Sequence, residues 1–258
     1  MNDSFLCAEA ITVRTRSRTL LSEVSMRLPA ASLSVLAGGV GAGKSLLARV
    51  LAGLLEPDSG TVRFRGAPMK EARIRKPDGI GIVFQDSGAH LLGATVGEDV
   101  LIGPASAGVP PRTQYTMRDR ALRLCGISAL REQPVHMLSG GEIRLTALAA
   151  TIATHPSVLI CDEPFANLDW PSVDRVLNVL LNVAESGSSV LVVTHELEKV
   201  LAHADRLFVL DHGSLTHSIS LPGEMTESVR ESLLTTGLRM TEPLSSMSWI
   251  RNRVRADL

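Results

Sequence analysis

Aromatic residues are scarce in this chain, forming 3% of its 258 residues, and none lies between Phe5 and Phe64. Cysteine is also rare, with three widely spaced residues and no C-x-x-C pair, so neither a disulfide framework nor a zinc cluster is expected. Charge of one sign is not in excess, because 26 Lys and Arg balance 27 Asp and Glu. The chain therefore lacks a basic nucleic-acid footprint, and no nucleic-acid partner is expected.

Long hydrophobic runs are missing too. No apolar segment reaches the roughly 20 residues needed to span a bilayer, and the N-terminus lacks the basic and apolar regions of a secretory signal. We therefore expect the protein to stay in the cytoplasm. With 45% hydrophobic residues, it has enough apolar surface for a large core.

Short apolar runs alternate with helical patterns, as is typical of strands joined by crossover helices in a largely parallel sheet. The predicted strands are Ile80 to Phe84, Val158 to Cys161, Val190 to Val193 and Leu207 to Leu210. A helix is predicted between Pro171 in its first turn and Gly187 at its end. From Gln85 to about Ala150 the pattern is mostly helical, and after Ser218 strand periodicity fades.

A glycine-rich segment, Gly38 to Ser45, matches G-x-x-x-x-G-K-[ST] and lies between an apolar run and a helix-like run. We call it the phosphate loop, because glycines let consecutive N–H groups turn onto phosphates while the following helix presents its positive end. Lys44 would neutralise phosphate charge, and the Ser45 hydroxyl would bind Mg²⁺. The alternative, a plain strand-to-helix turn, does not explain the complete spacing.

Two further segments carry chemistry. Asp162 and Glu163 follow a buried strand at the sheet edge where ligands of α/β proteins gather, so Asp162 would hold Mg²⁺ and Glu163 would polarise the attacking water. The signature segment, Leu138 to Glu142, reads LSGGE and opens an apolar-periodic stretch. Ser139 and Glu142 have capping-box spacing, which is a structural explanation, but it leaves the two glycines unexplained. Consecutive glycines would let an anion approach bare N–H groups.

Together with Gln85, Asp169 and His195, these segments occur in the order found in ABC transporter ATPases, which the chain resembles over roughly residues 8 to 218. The resemblance implies a P-loop NTPase fold of ABC ATPase type: an α/β protein with a mixed, mostly parallel sheet. The ABC ATPase domain would cover residues 1–218, with a helical subdomain inserted at about 86–150, and residues 219–258 would form a short C-terminal extension.

The resemblance also implies ATP and Mg²⁺ as cofactors and a head-to-tail dimer. Catalysis would fall to Glu163, His195 and Lys44, and the metal would be held by Ser45, Gln85 and Asp162. The implied ATP-binding positions are Gly38, Gly39, Val40, Gly41, Ala42, Gly43, Lys44, Ser45, Leu46 and Gln85. Ser139, Gly140, Gly141 and Glu142 would contact the ATP of the opposite subunit, while Asp169 would link the two sites.

Three of these residues also have structural interpretations. Gln85 could be a solvated residue at a strand end, and His195 could make a structural hydrogen bond. Asp169 precedes Trp170 and Pro171 and is a good helix N-cap, a role compatible with dimer communication.

Within the family, the segments from Val83 to Gln85 and from Thr95 to Pro104 resemble the energy-coupling-factor (ECF) importers for vitamins and for cobalt or nickel. Gly237, Leu238 and Pro243 resemble the C-terminal segment of those ATPases. This implies integral membrane transport subunits, a second ATPase subunit that is either identical or a similar paralogue, and a peripheral location on the cytoplasmic face of the membrane. The alternatives are a cytosolic non-transport ABC ATPase and an ATP-binding regulatory subunit with weak turnover.

One departure from the family concerns adenine. The aromatic residue that normally stacks on the base is missing, and the corresponding region reads Thr12-Val13-Arg14-Thr15-Arg16. Either Arg14 or Arg16 would lay a guanidinium over the base, or both are solvent-facing strand residues.

Overall fold

A computed structural model describes residues 4–69, 77–86, 88–221 and 234, and its centre is a six-stranded sheet in the order β10-β9-β3-β8-β7-β6. The first five strands from the β6 edge run parallel, and β10 is antiparallel to β9. The strands are β3 (Ser32–Ala37), β6 (Ile80–Val83), β7 (Val158–Asp162), β8 (Ser189–Val193), β9 (Arg206–Asp211) and β10 (Ser214–Ser220). This mixed sheet confirms the predicted fold class.

The register of the parallel strands brings the chemical segments to one edge. Leu36 of β3 and Asp162 of β7 both pair with Val193 of β8. The phosphate loop, the Asp162-Glu163 pair and His195 therefore follow neighbouring strand ends. Gln85 follows β6, which is the next strand beyond β7.

A second sheet of four antiparallel strands, in the order β2-β1-β4-β5, lies outside the sequence prediction. Its strands are β1 (Ser4–Arg14), β2 (Thr19–Pro29), β4 (Ser59–Phe64) and β5 (Ala67–Pro68). Ala10 and Glu23 have positive φ values of 50° and 51°, and the β1–β2 register shifts beside them. These irregularities break the alternation of inward and outward side chains, so the period-two signal is weak in both strands.

Helices cover the central sheet on both faces. The helices are α1 (Lys44–Leu51), α2 (Val96–Ser106), α3 (Pro111–Leu124), α4 (Gly140–Ile152) and α5 (Trp170–Glu185). One hydrophobic cluster joins one face of the sheet to α2–α5, and a second joins the opposite face to α1 and the antiparallel sheet. Successive residues of β7 and β8 enter alternate clusters, as the pleat requires.

Three helices, α2 to α4, lie between β6 and β7, where the sequence pattern is mostly helical. At the other end, β10 runs two residues past Ser218, and Leu221 packs against the core. Of the predicted C-terminal extension, residues 219–258, the structure describes only residues 219–221 and Leu234. Gly237, Leu238 and Pro243 lie outside the described residues. Within the described ranges, no helix combines the length and apolar character needed to cross a membrane.

Candidate functional site

The phosphate loop is shaped by three glycines that leave no room or no conformational freedom for a side chain. A Cβ on Gly38 would lie 2.2 Å from the carbonyl oxygen of Leu210, and Gly41 and Gly43 have φ values of 81° and 102°. Side-chain-bearing residues rarely adopt such angles. The loop is therefore held in a conformation that turns directly into α1, as the sequence predicts.

Lys44 is the buried cation of this loop. Its ammonium donates hydrogen bonds to the carbonyl oxygens of Gly38 at 2.9 Å and Gly39 at 3.1 Å. Burial lowers the pKa of Lys44, and the nearby carboxylates of Glu163 and Asp162 oppose this effect. The ammonium is thus hydrogen-bonded to the glycine turn and interacts with the charges of the two acidic residues.

Asp162 presents a carboxylate suited to a hard cation. Burial raises its pKa, while a hydrogen bond from the Ser45 hydroxyl and the charge of Lys44 act in the opposite direction. Within the described part of the chain, Oδ1 of Asp162 is buried and receives no hydrogen bond. A buried carboxylate oxygen without a donor, beside a hydroxyl, fits Mg²⁺, which prefers oxygen ligands.

Glu163 lies next to Asp162 in a left-handed backbone conformation with φ of 48°. Its N–H bonds to the carbonyl of Val193 at 2.8 Å, which fixes the turn against the end of β8. Oε1 of Glu163 is 2.7 Å from Nδ1 of His195, and Oε2 accepts a hydrogen bond from Thr194 at 2.9 Å. Because a carboxylate only accepts, Nδ1 carries the imidazole proton and Nε2 is left for another partner.

Gln85 joins the predicted metal residues in one open cleft of about 680 Å³, which we call the nucleotide cleft. Gln85, Ser45 and Asp162 all line it. The full lining is Ser45, Arg49, Leu54, Phe84, Gln85, Asp86, Asp162 and Asn167. The fold thus brings together three residues that are separated by up to 117 positions in the chain.

The signature segment has the capping box that its spacing predicts. Ser139 accepts a hydrogen bond from the N–H of Glu142, and the Glu142 carboxylate accepts the N–H of Ser139 at 2.8 Å. The Ser139 hydroxyl also donates to that carboxylate at 2.7 Å, and the hydrogen bonds from the Ser139 N–H and hydroxyl lower the pKa of Glu142. Among the described residues, those lining the nucleotide cleft include no member of the signature segment.

The two glycines of the signature segment differ in their surroundings. A Cβ on Gly141 would lie 2.8 Å from Oγ of Ser172, so this glycine is explained by the packing of α4 on α5. A Cβ on Gly140 would meet no atom within 4 Å. Packing within the described chain therefore gives no reason for glycine at 140, and its exposed backbone is open to an external group.

Asp169 caps α5, as predicted. Its Oδ1 accepts a hydrogen bond from the N–H of Ser172 at 3.1 Å. Hydrogen bonding from the side chain of Ser172, and next from its N–H, lowers the pKa of Asp169. Since Ser172 is also the neighbour of Gly141, Asp169 and the signature segment lie on the same side of the α4–α5 contact.

Arg14 ends β1, and Arg16 lies in the turn that leads into β2 beside the phosphate loop. Both arginines are exposed, and the N–H of Arg14 bonds to Asp58 at 2.6 Å. A Cβ on Gly43 would lie 3.0 Å from Cδ2 of Leu21, so the start of β2 is packed against the loop. The turn after β1 is thus separated from the phosphate loop only by the first residues of β2.

Arg144 is a residue of the site that the sequence analysis missed. It is buried in α4, and its guanidinium donates to the carbonyl of Phe84, directly before Gln85, at 3.1 Å. The charges near it include Asp86, Asp162 and Glu163. A charged residue one helical turn before buried Leu148 was the available signal, because that position falls on the core-facing stripe.

Comparison with known proteins accounts for this arrangement. A family profile described as ABC transporter matches residues 21–166. The chain belongs to the ABC transporter family. This ABC ATPase is 36% identical over 212 residues to the cobalt import ATP-binding protein CbiO of Rhodobacter capsulatus, covering 81% of this chain and 76% of that protein. It is 39% identical over 183 residues to the energy-coupling factor transporter ATP-binding protein EcfA of Methanoculleus marisnigri, covering 70% and 66%.

A solved structure agrees with both relatives. CbiO1 from Clostridium perfringens, described as part of the ABC transporter complex cbiONQ, superposes with a TM-score of 0.79 at 29% identity, covering 95% of this chain and 99% of that one. The family resemblance, including its ECF and cobalt-type subgroup, is confirmed. ABC transporter ATP-binding proteins hydrolyse ATP, so this chain is an ATPase subunit that binds nucleotide.

Proposed function

We propose that this ABC ATPase energises a membrane importer of ECF type, and that two ATPase subunits close over ATP during each cycle. The observation that carries the proposal is the division of the site within one chain. Lys44, Asp162 and Glu163 interact at the sheet edge, while Gly140 has an exposed backbone, and a Cβ placed there would meet no atom of the described chain within 4 Å. A second subunit placed head to tail would supply that missing face.

Within one subunit, the residues of the phosphate loop bind the triphosphate and Lys44 neutralises its charge. Glu163 accepts a proton from the attacking water through a carboxylate oxygen. His195, already hydrogen-bonded to Glu163 through Nδ1, orients that carboxylate and offers Nε2 to the γ-phosphate. The remaining phosphate-loop positions, including Val40, shape the cradle, and Leu46 belongs to the first turn of α1.

Mg²⁺ fits beside these groups. Ser45, Gln85 and Asp162 would hold it, which agrees with the buried Oδ1 of Asp162 and with their common cleft. Bound there, the ion would neutralise charge that develops on the phosphate oxygens.

In the dimer, Ser139, Gly140, Gly141 and Glu142 of one subunit approach the ATP held by Lys44 of the other. Asp169 lies beside that segment and communicates between the two sites. The partner is a second copy of this chain or a similar paralogue, since one chain carries both halves of a site.

The membrane partner is an integral transport subunit. This inference rests on the named relatives, one a cobalt import protein and one an energy-coupling factor transporter protein. Helices α2–α4, the proposed helical subdomain of a 1–218 ATPase domain, would carry motion from the cleft through the contact of Arg144 with Phe84. The ATPase then lies peripherally on the cytoplasmic face.

The test of this proposal is Glu163→Gln. The amide cannot take the proton, so we expect turnover to fall about 100-fold or more while ATP binding persists. Because bound ATP is then not consumed, light scattering after size exclusion is expected to show an ATP-dependent dimer that outlasts the wild-type dimer. Glu185→Gln, at the exposed end of α5, is the matched control and is expected to behave as wild type.

Two results count against the proposal. Wild-type turnover in Glu163→Gln excludes Glu163 as the base. A monomer at every ATP concentration, for both the wild type and the variant, excludes the closing dimer.

A further inference from the structure

Thr194 directly precedes His195 and contacts Glu163 on the neighbouring loop. It is fully buried, directly follows β8, and its N–H bonds to the carbonyl of Leu36 at 3.0 Å. Its hydroxyl lies 2.9 Å from Oε2 of Glu163 and 3.0 Å from the backbone nitrogen of Glu196. Thr194 thus joins a side chain on one loop to the backbone of the other.

The direction of these hydrogen bonds is determined by the donor inventory. The N–H of Glu196 only donates, so Oγ1 of Thr194 accepts there. Its single hydrogen is then directed to Oε2 of Glu163, which can only accept when ionised. Since Thr194 is fully buried, water does not compete for the hydroxyl.

We propose that Thr194 is a positioning residue for ATP hydrolysis: it holds Oε2 of Glu163 while His195 holds Oε1, so that the plane of the carboxylate is fixed relative to the attacking water. This inference rests on the role of Glu163 proposed above. With Oε2 held by Thr194, the carboxylate cannot rotate about its terminal torsion without losing a charge-assisted hydrogen bond. A general base fixed in this way loses less orientational entropy in the transition state.

A partly buried ion pair keeps the donor to Thr194 in place. Nζ of Lys199 lies 2.6 Å from Oε1 of Glu196 and also donates to the carbonyl of Phe165 at 3.2 Å. The side chains of Lys199 and Glu196 are only 11% and 24% exposed. Since Phe165 lies two residues after Glu163, this pair ties the turn that begins at Glu196 to the loop that carries the base.

The test measures ATPase kinetics of the full chain with Mg²⁺ and ATP. Thr194→Val keeps the shape and removes the hydroxyl, so kcat is expected to fall about 10-fold to 100-fold, the size of a lost hydrogen bond to a charged group. KM for ATP is expected to stay within about twofold, because Thr194 touches no nucleotide-binding group. Thr194→Ser keeps the hydroxyl and is expected to restore most of the turnover.

A double-mutant comparison separates positioning from packing. In a Glu163→Gln background, single-turnover hydrolysis is expected to be the same with Thr or Val at 194, because the base that Thr194 holds is gone. Lys199→Met, which leaves Thr194 intact, is expected to lower kcat less and to have no effect in that background. It therefore tests the network even if Thr194→Val does not fold.

The outcomes are distinct. If Thr194→Val slows Glu163→Gln by the same factor as the wild type, or if Thr194→Ser falls as far as Thr194→Val, the positioning role is overturned. If Glu163→Gln itself hydrolyses ATP at the wild-type rate, the proposed base fails, and the role of Thr194 fails with it. If Glu163→Gln is inactive and Thr194→Val is fully active, only the inference about Thr194 fails.

Discussion

At the scale of single residues, Gly43 shows how closely the phosphate loop is packed. Its φ is 102°, and a Cβ there would lie 3.0 Å from Cδ2 of Leu21 and 3.3 Å from the carbonyl oxygen of Leu20. Gly187 has a nearly identical φ of 105°, but a Cβ there would meet nothing within 4 Å. A side chain at Gly43 would therefore meet both backbone strain and crowding, whereas a side chain at Gly187 would meet backbone strain alone.

We predict that Gly43→Ala and Gly187→Ala both lose stability, by about 1–2 kcal/mol, because alanine resists the left-handed conformation. Only Gly43→Ala is expected to weaken nucleotide binding, since it also displaces the backbone that faces the phosphates. Urea unfolding and calorimetric titration with ATP measure the two effects. Unchanged ATP affinity in Gly43→Ala would contradict this account of the loop.

Single residues also show the limit of sequence reasoning. The caps formed by Ser139 and Asp169 were predictable, because each contacts an N–H three positions away. Thr194 and Arg144 were missed, because their partners Glu163 and Phe84 lie 31 and 60 positions away. Helical spacing places Arg144 on the core-facing side of α4, but it does not identify Phe84 as its partner, because such contacts exist only after the elements have been packed together.

At the scale of elements, α4 begins with two glycines that serve different purposes. Gly141 lies against Ser172 of α5, whereas Gly140 faces open space. One glycine is required by helix packing, and the other is free to accept a side chain in the monomer.

We predict that Gly140→Ala keeps or raises the free energy of unfolding, by up to about 1 kcal/mol, because alanine favours a helix over glycine. Its ATP turnover is expected to fall, since the methyl group obstructs the nucleotide of the opposite subunit. Gly141→Ala is expected to lower stability, because Oγ of Ser172 must move. Urea unfolding and ATPase assays give both quantities, and full turnover in Gly140→Ala would argue against the proposed contact across the dimer.

Regular elements were predicted where the local pattern is clear. The predicted segments of β7, β8 and β9 are unbroken apolar runs and are buried, β6 is a short apolar run around Gly81 that is only partly buried, and α5 is marked by helical spacing between Pro171 and Gly187. The strands β1 and β2 were missed, because the positive φ values of Ala10 and Glu23 interrupt their alternation. A bulge is a tertiary adjustment between two strands, so neither strand alone shows where it falls.

At the scale of the whole molecule, the central sheet is covered on both faces. Of the three cysteines in the chain, two lie in the same hydrophobic cluster. Cys125 belongs to the helical layer and Cys161 to β7. Burial raises the pKa of both thiols to about 12. Cys7, in the antiparallel sheet, is half-buried.

We predict that a disulfide reagent at pH 8 reacts with Cys7 in the folded protein and with Cys125 and Cys161 only on unfolding. A thiol with a pKa of about 12 is protonated at pH 8 and stays so until the pH approaches 12, so Cys125 and Cys161 are expected to stay unreactive in the folded protein at pH 9 as well. Absorbance of the released reagent follows all three thiols in urea. Cys7→Ser is the control that removes the fast phase.

Cys125 and Cys161 are expected to become reactive at the same urea concentration, because they share one cooperative core. Earlier reaction of Cys125 would show that the helical layer unfolds independently.

Local sequence is enough to specify the chemistry of this protein: the phosphate loop, the Asp162-Glu163 pair and the signature segment each depend on glycines, charges or caps within a few residues. Which of these groups meet depends on the fold. The parallel register brings Gln85, Ser45 and Asp162 to one cleft and places Thr194 against Glu163, while Gly140 remains on an open face. Strand order and helix packing bring these residues together, and both depend on contacts between residues far apart in the chain.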